Sequence, residues 1–181
     1  RSRGLGDVYK RQVSTDTETV TIRIGFRSVA IAGDIITVNG EKIVFRGVNR
    51  HEWHPRTGRT LDEQTMRADL ELMKRHGVNA IRTSHYPPNA RFLDLCDEYG
   101  VWVLLECDLE THGFERGGWD GNPTNDDRWY DCLLNRIQRT VERDKNHPAI
   151  IGWSMGNESH CGEGIRLMND WVKNRDPSRF T

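Results

Sequence analysis

The chain has 181 residues, 29% of them charged and 35% hydrophobic, and a formal net charge of −1. That size and balance suit one ordinary domain and exclude a basic nucleic-acid surface or a like-charged tail. No apolar stretch approaches the ~20 residues that a membrane helix needs, and no apolar signal region lies near the N-terminus. Four cysteines, Cys96, Cys107, Cys132 and Cys161, lie far apart with no C-x-x-C pair. They read as buried free thiols of a reducing compartment, which favours the cytoplasm over export and argues against structural zinc.

In chain order, residues 1–12 show no periodicity and join nothing that follows. They read as a translated cloning or assembly scar, outside the fold. Thr19-Val20-Thr21-Ile22-Arg23-Ile24 alternates and is rich in β-branched residues, which predicts a strand. Ile35 to Val38 and Ile43 to Phe45 flank Asn39-Gly40, a hairpin turn signal. This opening looks like the end of a β-domain.

From residue 41 strands and helices alternate. Ile43 to Val48 is the first expected strand. Asp62 caps a helix with Met66, Leu70 and Met73 on one face, and Gly77 ends it. Asn79 to Thr83 is the second strand. Pro88 suits a helix start, Phe92, Leu95, Cys96 and Tyr99 line one face, and Gly100 stops that helix. Val101 to Leu105 is apolar throughout, as a strand buried on both faces should be. Trp129, Leu133, Ile137 and Val141 mark a third helix, Ile150 to Ser154 a fourth strand, and Ile165, Met168 and Val172 a fourth helix.

Four βα units in a row imply a parallel α/β sheet, because each crossover needs a helix. An open doubly wound sheet and the first half of a (β/α)8 barrel both fit. No glycine-rich G-x-G-x-x-G turn follows the first strand, as a Rossmann fold would want. Polar residues instead collect where each strand ends: Asn49, Arg50 and His51; Arg82, Ser84 and His85; Glu106, Asp108, Glu110 and His112; Asn157 and Glu158. A barrel enzyme builds its site at that face.

Several groups there carry chemistry. Glu110 and His112, two apart in an extended backbone, point the same way and can hold a divalent ion. The carboxylate suits Mg²⁺ and the histidine Zn²⁺ or Mn²⁺. The alternative is an ion pair. His51 and His85 can meet sugar hydroxyls, and Arg82 can form a salt bridge or orient a carboxylate. Trp53 and Trp119 can stack on a sugar or pack in loops. Glu158 is the candidate acid. It would need burial or a neighbouring negative charge to stay protonated. A glycosidase also needs a second carboxylate, at about 5–5.5 Å for retention or about 6.5–9.5 Å for inversion. Among Glu106, Asp108 and Glu110 none stands out as that partner. His54, His76, His147 and His160 read as ordinary structural or solvated histidines.

Six segments, in order, resemble the large β-galactosidases of glycoside hydrolase family 2. They are Phe45-Arg46-Gly47-Val48-Asn49-Arg50-His51-Glu52, Asp62-Glu63-Gln64-Thr65-Met66, Ser84-His85-Tyr86-Pro87, Glu110-Thr111-His112-Gly113, Arg143-Asp144-Lys145-Asn146-His147-Pro148 and Gly156-Asn157-Glu158-Ser159. The likeness covers about residues 25–181. It implies that residues 13–40 are the last strands of an immunoglobulin-like domain and 41–181 the first half of a TIM-barrel catalytic domain.

By the same resemblance Glu158 is the general acid/base and a Mg²⁺ ligand, and Glu110 and His112 are the other protein ligands. His51 and His85 contact the galactosyl group and stabilise the transition state. Asn157 binds the sugar 2-hydroxyl, and Arg82 supports the nucleophile. The family is retaining and assembles as an oligomer, so a β-galactoside substrate and a homo-oligomeric parent are implied, with no nucleic acid and no membrane partner. Its nucleophile lies on the seventh strand and its monovalent cation site also falls outside these residues. The chain is therefore expected to be a fragment, inactive by itself, with aggregation-prone first and fourth strand edges. Glu-Thr-His-Gly and Gly-Asn-Glu-Ser favour a β-galactosidase over the family's β-glucuronidases and β-mannosidases. The rivals outside that set are a carbohydrate-binding protein without catalysis and a metal-dependent hydrolase barrel.

Overall fold

The computed structural model describes residues 8–181. An antiparallel ribbon opens it: β1 (Val8–Ser14) pairs with β2 (Thr19–Gly25), with Val13 opposite Val20. Residues 8–12 thus belong to a strand, which corrects the expectation that residues 1–12 join nothing. Residues 1–7 lie outside the described residues. A three-stranded antiparallel sheet follows, with β3 (Val29–Ala32), β4 (Ile35–Val38) and β5 (Glu41–Lys42) in that order. Asn39 and Gly40 have φ of 53° and 80°. Positive φ at both central residues is what a tight hairpin turn demands, and the Asn-Gly signal reports it.

The rest is a parallel four-stranded sheet, β6 (Gly47–Arg50), β7 (Ala80–Thr83), β8 (Trp102–Glu106) and β9 (Ile150–Ser154), in that spatial order. The order runs with the sequence and never reverses. A doubly wound sheet would reverse at a switch point, so the arrangement is the wall of a partial (β/α)8 barrel. The first strand starts at Gly47, four residues later than the apolar run at Ile43 suggested. Ile43 instead packs with Val29 and Val38 against Ala80, Trp102 and Ile151 at the base of the inner face.

The crossovers are α1 (Glu63–Arg75), α2 (Ala90–Tyr99), α3 (Tyr130–Asp144) and α4 (Glu163–Arg175). The Asp62 side chain accepts a hydrogen bond from the Thr65 amide at 2.8 Å, capping α1 as expected. α2 starts two residues after Pro88, because Asn89 is the cap and accepts from the Arg91 amide at 2.9 Å. Gly100 ends α2 in the left-handed region at φ 69°, which a side chain would resist. Trp129 falls in a short 3-10 turn before α3 and is half exposed. Met66, Leu70, Phe92, Leu95, Ile137, Val141, Met168 and Val172 face Ile81, Val103, Leu105 and Trp153 in one fully packed core between helices and sheet.

The outer edge of β9 is not bare, contrary to the expectation of an unpaired strand. Phe180 makes a parallel bridge with Gly152, and the Trp153 amide donates to the Phe180 carbonyl at 2.9 Å. Among the described residues no helix is long and apolar enough to cross a membrane. Cys96 and Cys107 are buried as expected, whereas Cys132 and Cys161 are exposed on helix and loop surfaces. Burial pushes the Cys107 thiol up to about 12 and moves Cys96 in the same direction.

Candidate active site

Side chains alternate along a strand, so Trp102, Leu104 and Glu106 share the inner face of β8, as Ala80 and Arg82 do on β7. Parity therefore turns Arg82 and Glu106 toward the barrel axis at its C-terminal end. Glu106 is fully buried. Its Oε2 accepts from Arg82 Nε at 2.6 Å and from Ser154 Oγ at 2.8 Å. Its Oε1 lies 2.7 Å from His85 Nδ1. Its own amide donates to Thr83 Oγ1 at 2.9 Å. Three strands are tied by one carboxylate, with a formal charge of Arg82 against it.

Arg82 continues the network. Its Nη2 donates to Asn157 Oδ1 at 2.7 Å and its Nη1 to Asn49 Oδ1 at 3.4 Å. The Asn157 carboxamide oxygen is thereby occupied, which leaves its NH2 as the part able to donate to a ligand. His51 and His85 stand edge to face, ring centroids 5.1 Å apart, after the Ser84–His85 peptide, which is cis. Arg50, which the strand-end pattern grouped with them, faces the other way. It is buried, bonds Asp69 at 2.9 and 3.0 Å, and stacks over Phe92 at 3.7 Å. Its work is packing.

Glu110, His112 and Glu158 come together, with one ligand atom from each within 4.8 Å of the others. Their route there differs from the expected extended backbone, since His112 opens a 3-10 turn (His112–Gly117). The loops after β8 and β9 meet instead. The Asn157 amide donates to the Leu109 carbonyl at 2.8 Å, and Glu110 bridges Asn157. Gly156 allows this approach, because a Cβ there would sit 2.6 Å from the Leu109 oxygen. Below, a buried net locks both loops: the Ser159 carbonyl accepts from Thr111, Asn122 and Thr124 at 2.9–3.2 Å, and Ser159 Oγ accepts from the Thr111 amide.

Glu158 itself has φ 40°, a left-handed conformation that a non-glycine residue adopts at a cost. Its carboxylate lies 2.7 Å from His112 Nδ1, and His112 Nε2 lies 2.7 Å from Glu115. Two oxygen donors and an imidazole suit a hard divalent cation held between them. The Glu158 side chain is 55% exposed. The burial expected of it is thus absent, and Glu110 is the carboxylate beside it. Asp108 points outward beside Arg136.

Trp119 tilts against His160 with centroids 5.1 Å apart, and Trp53 is exposed. His147 bonds Asp97 at 2.7 Å. Burial opposes its charge, but the Asp97 hydrogen bond and the charges of Asp97, Asp144 and Asp94 prevail and raise its pKa. It sits below the sheet, away from the strand ends, and keeps its structural reading. Glu106 is the residue that sequence reasoning left undecided. The available signal was parity with Arg82, hidden inside an apolar run.

Residues 29–181 match the family described as "Glycosyl hydrolases family 2, TIM barrel domain". The chain is 56% identical over 172 residues to a β-galactosidase of Arthrobacter sp. (strain B7), covering 95% of this chain and 17% of that protein. It is 50% identical over 157 residues to a β-galactosidase of Vibrio cholerae, covering 86% and 15%. Among solved structures it resembles a β-glucuronidase of an uncultured Clostridium sp. (TM-score 0.85, 28% identity, 96% of this chain and 31% of that one). It also resembles a family 2 β-galacturonidase of Eisenbergiella tayi bound to galacturonate (TM-score 0.71, 30% identity, 89% and 28%). The chain spans less than a fifth of the length of the curated relatives named. With 153 consecutive residues matched and a parallel sheet in barrel order, the chain belongs to glycoside hydrolase family 2 and carries part of its TIM-barrel domain.

Proposed function

We propose that this chain is part of a β-galactosidase that hydrolyses terminal β-D-galactosides, lactose among them, with retention of configuration. The observation that carries the reading is the 56% identity to a β-galactosidase over nearly the whole chain, at which level substrate chemistry outweighs the 28–30% likeness to uronidases. Glu158 protonates the leaving oxygen and later takes a proton from the attacking water. His51, His85 and Asn157 bind the sugar, and Arg82 supports the charged groups of the site. Glu110, His112 and Glu158 hold Mg²⁺, which supplies positive charge beside the acid/base when bound.

The family resemblance implies that the nucleophile comes from residues outside these 181. Within them, the oxygens of Glu106 are all hydrogen-bonded and buried, Glu110 belongs to the metal cluster, and Asp108 faces outward. The chain alone therefore does not turn over substrate. Four cysteines without a disulfide fit a cytoplasmic setting. Assembly of the full-length protein into a homo-oligomer follows from the resemblance.

The test is Glu158→Gln in the full-length protein, assayed with nitrophenyl galactoside. Loss of the acid/base is expected to lower kcat by about 10²–10⁴-fold. Azide, a nucleophile that needs no base, should restore turnover as galactosyl azide. Undiminished hydrolysis by the variant, or a wild-type enzyme that cleaves glucuronides and not galactosides, would sink the reading.

A further inference from the structure

The buried carboxylate at the end of β8 has a role that neither the acid/base nor the metal ligands account for. Its two oxygens are not equivalent. Oε2 receives Arg82 Nε, which can only donate, and Ser154 Oγ, which also lies 3.3 Å from the Gly156 carbonyl. Oε1 receives one, the His85 ring nitrogen Nδ1. An ionised carboxylate only accepts, so Nδ1 must carry the proton. The other nitrogen, Nε2, is then left as an acceptor for a ligand.

We infer that Glu106 is a positioning residue of this glycosidase, which fixes His85 as the Nδ1–H form and so presents a sugar hydroxyl with an Nε2 able to accept its proton. The inference rests on the glycosidase reading above. It also gives the fully buried Glu106 side chain a task that an amide could not perform: a glutamine would give His85 the wrong tautomer.

The outcome for glutamine is fixed by the donors. Glu106→Gln has one oxygen, and Arg82 Nε, which can only donate, claims it. The amide NH2 must then face His85 Nδ1, which becomes an acceptor. His85 Nε2 is forced to carry the proton. Glu106→Asp keeps a group that only accepts, and keeps the tautomer, though with longer reach.

The experiment uses the full-length enzyme. Wild type is first offered nitrophenyl galactoside, glucuronide and mannoside, and all variants are compared on the one it cleaves. Cleavage of a glucuronide would overturn the galactoside reading but leave the Glu106 test intact; cleavage of none would remove both. Expected for Glu106→Gln is a kcat lower by about 100-fold or more, KM within about 3-fold, and Glu106→Asp at least 10-fold more active than Glu106→Gln. In a His85→Ala background Glu106→Gln should add less than about 3-fold, because the group it acts through is gone. Full multiplication of the two losses, or an aspartate variant as impaired as the glutamine one, overturns the inference. If Glu106→Gln does not fold, Glu106→Asp decides alone: a kcat within about 10-fold of wild type is expected, and a loss as deep as that of His85→Ala overturns the inference.

Discussion

Gly156 shows how much of the candidate site depends on a missing atom. The loops after β8 and β9 touch where the Asn157 amide reaches the Leu109 carbonyl, and that contact carries Glu110 to the side of Glu158. A methyl group at position 156 would lie 2.6 Å from a backbone oxygen, which cannot swing away as a side chain could. Gly156→Ala is therefore expected to separate the two loops and, on the proposed function, to weaken Mg²⁺ binding by at least about 10-fold, the scale on which supporting groups act, and to lower the full-length protein's kcat with it. Isothermal titration with MgCl2 reads the first effect and galactoside hydrolysis the second. Unchanged metal affinity would show that the cluster is held by the Ser159 net alone. The motif Gly-Asn-Glu-Ser is thus four residues with four tasks: close approach, Arg82's partner, the proposed acid/base, and the loop lock. The carboxylate was legible in the sequence from its place after an apolar run; the reason for the glycine before it was not, because Leu109 is 47 positions away.

Among the elements, the helices were the most readable. α1 lies between Asp62 and Gly77 as its cap and stop residues require, and Met66 and Leu70 are buried on the expected stripe. Asp62→Ala removes an acceptor for the Thr65 amide and should lower the urea midpoint. Asp62→Asn, which keeps the acceptor, should cost much less. Equal losses would mean that charge, not capping, holds the helix start. β1 was illegible for a different reason. Residues 8–12 have no alternation, and their strand exists through backbone pairing with β2. β6 was misplaced because Ile43, Val44 and Phe45 look like a strand in isolation, while Ile43 is spent on the packing beneath the sheet. Glu106 stayed undecided because an all-apolar strand carries no periodicity from which to read facing; only register against Arg82 supplies it. Cys132 lies off the Leu133–Ile137–Val141 stripe of α3, and Cys161 lies in the loop before α4, so both thiols are exposed.

At the scale of the whole molecule, the end of the barrel opposite the candidate site is closed by charge. Arg27, from the segment after β2, donates to the carbonyls of Pro148 and Ile150, and Arg179 donates to those of Lys145, His147 and Ile150. Two guanidiniums thus cover the carbonyls at and just before the start of β9. Burial, and then the proximity of Arg179, lowers Arg27 to about 10. The counter-charge is Asp176, buried, which accepts from Trp153 Nε1 at 2.9 Å and Ser178 Oγ at 2.6 Å and pairs with Arg179 at 2.5 Å. Burial alone would raise its pKa, but the Ser178 bond, the Arg179 charge and the Trp153 bond together hold it below the usual carboxylate value. A carboxyl depressed in the folded state contributes stability that is fully present above its unfolded value of about 3.9 and is lost as pH falls through the folded one. Asp176→Asn keeps the acceptor for Trp153 but leaves Arg179 buried without its partner. The expected cost at pH 7 is about 3–5 kcal/mol. Below about pH 4 the gap to wild type should narrow, since wild type loses the same charge by protonation while the variant has none to lose. Urea unfolding of both proteins at pH 7 and again below pH 4 checks this. A gap independent of pH would mean that the Arg179 carbonyl contacts, rather than its pairing with Asp176, hold this end of the barrel together.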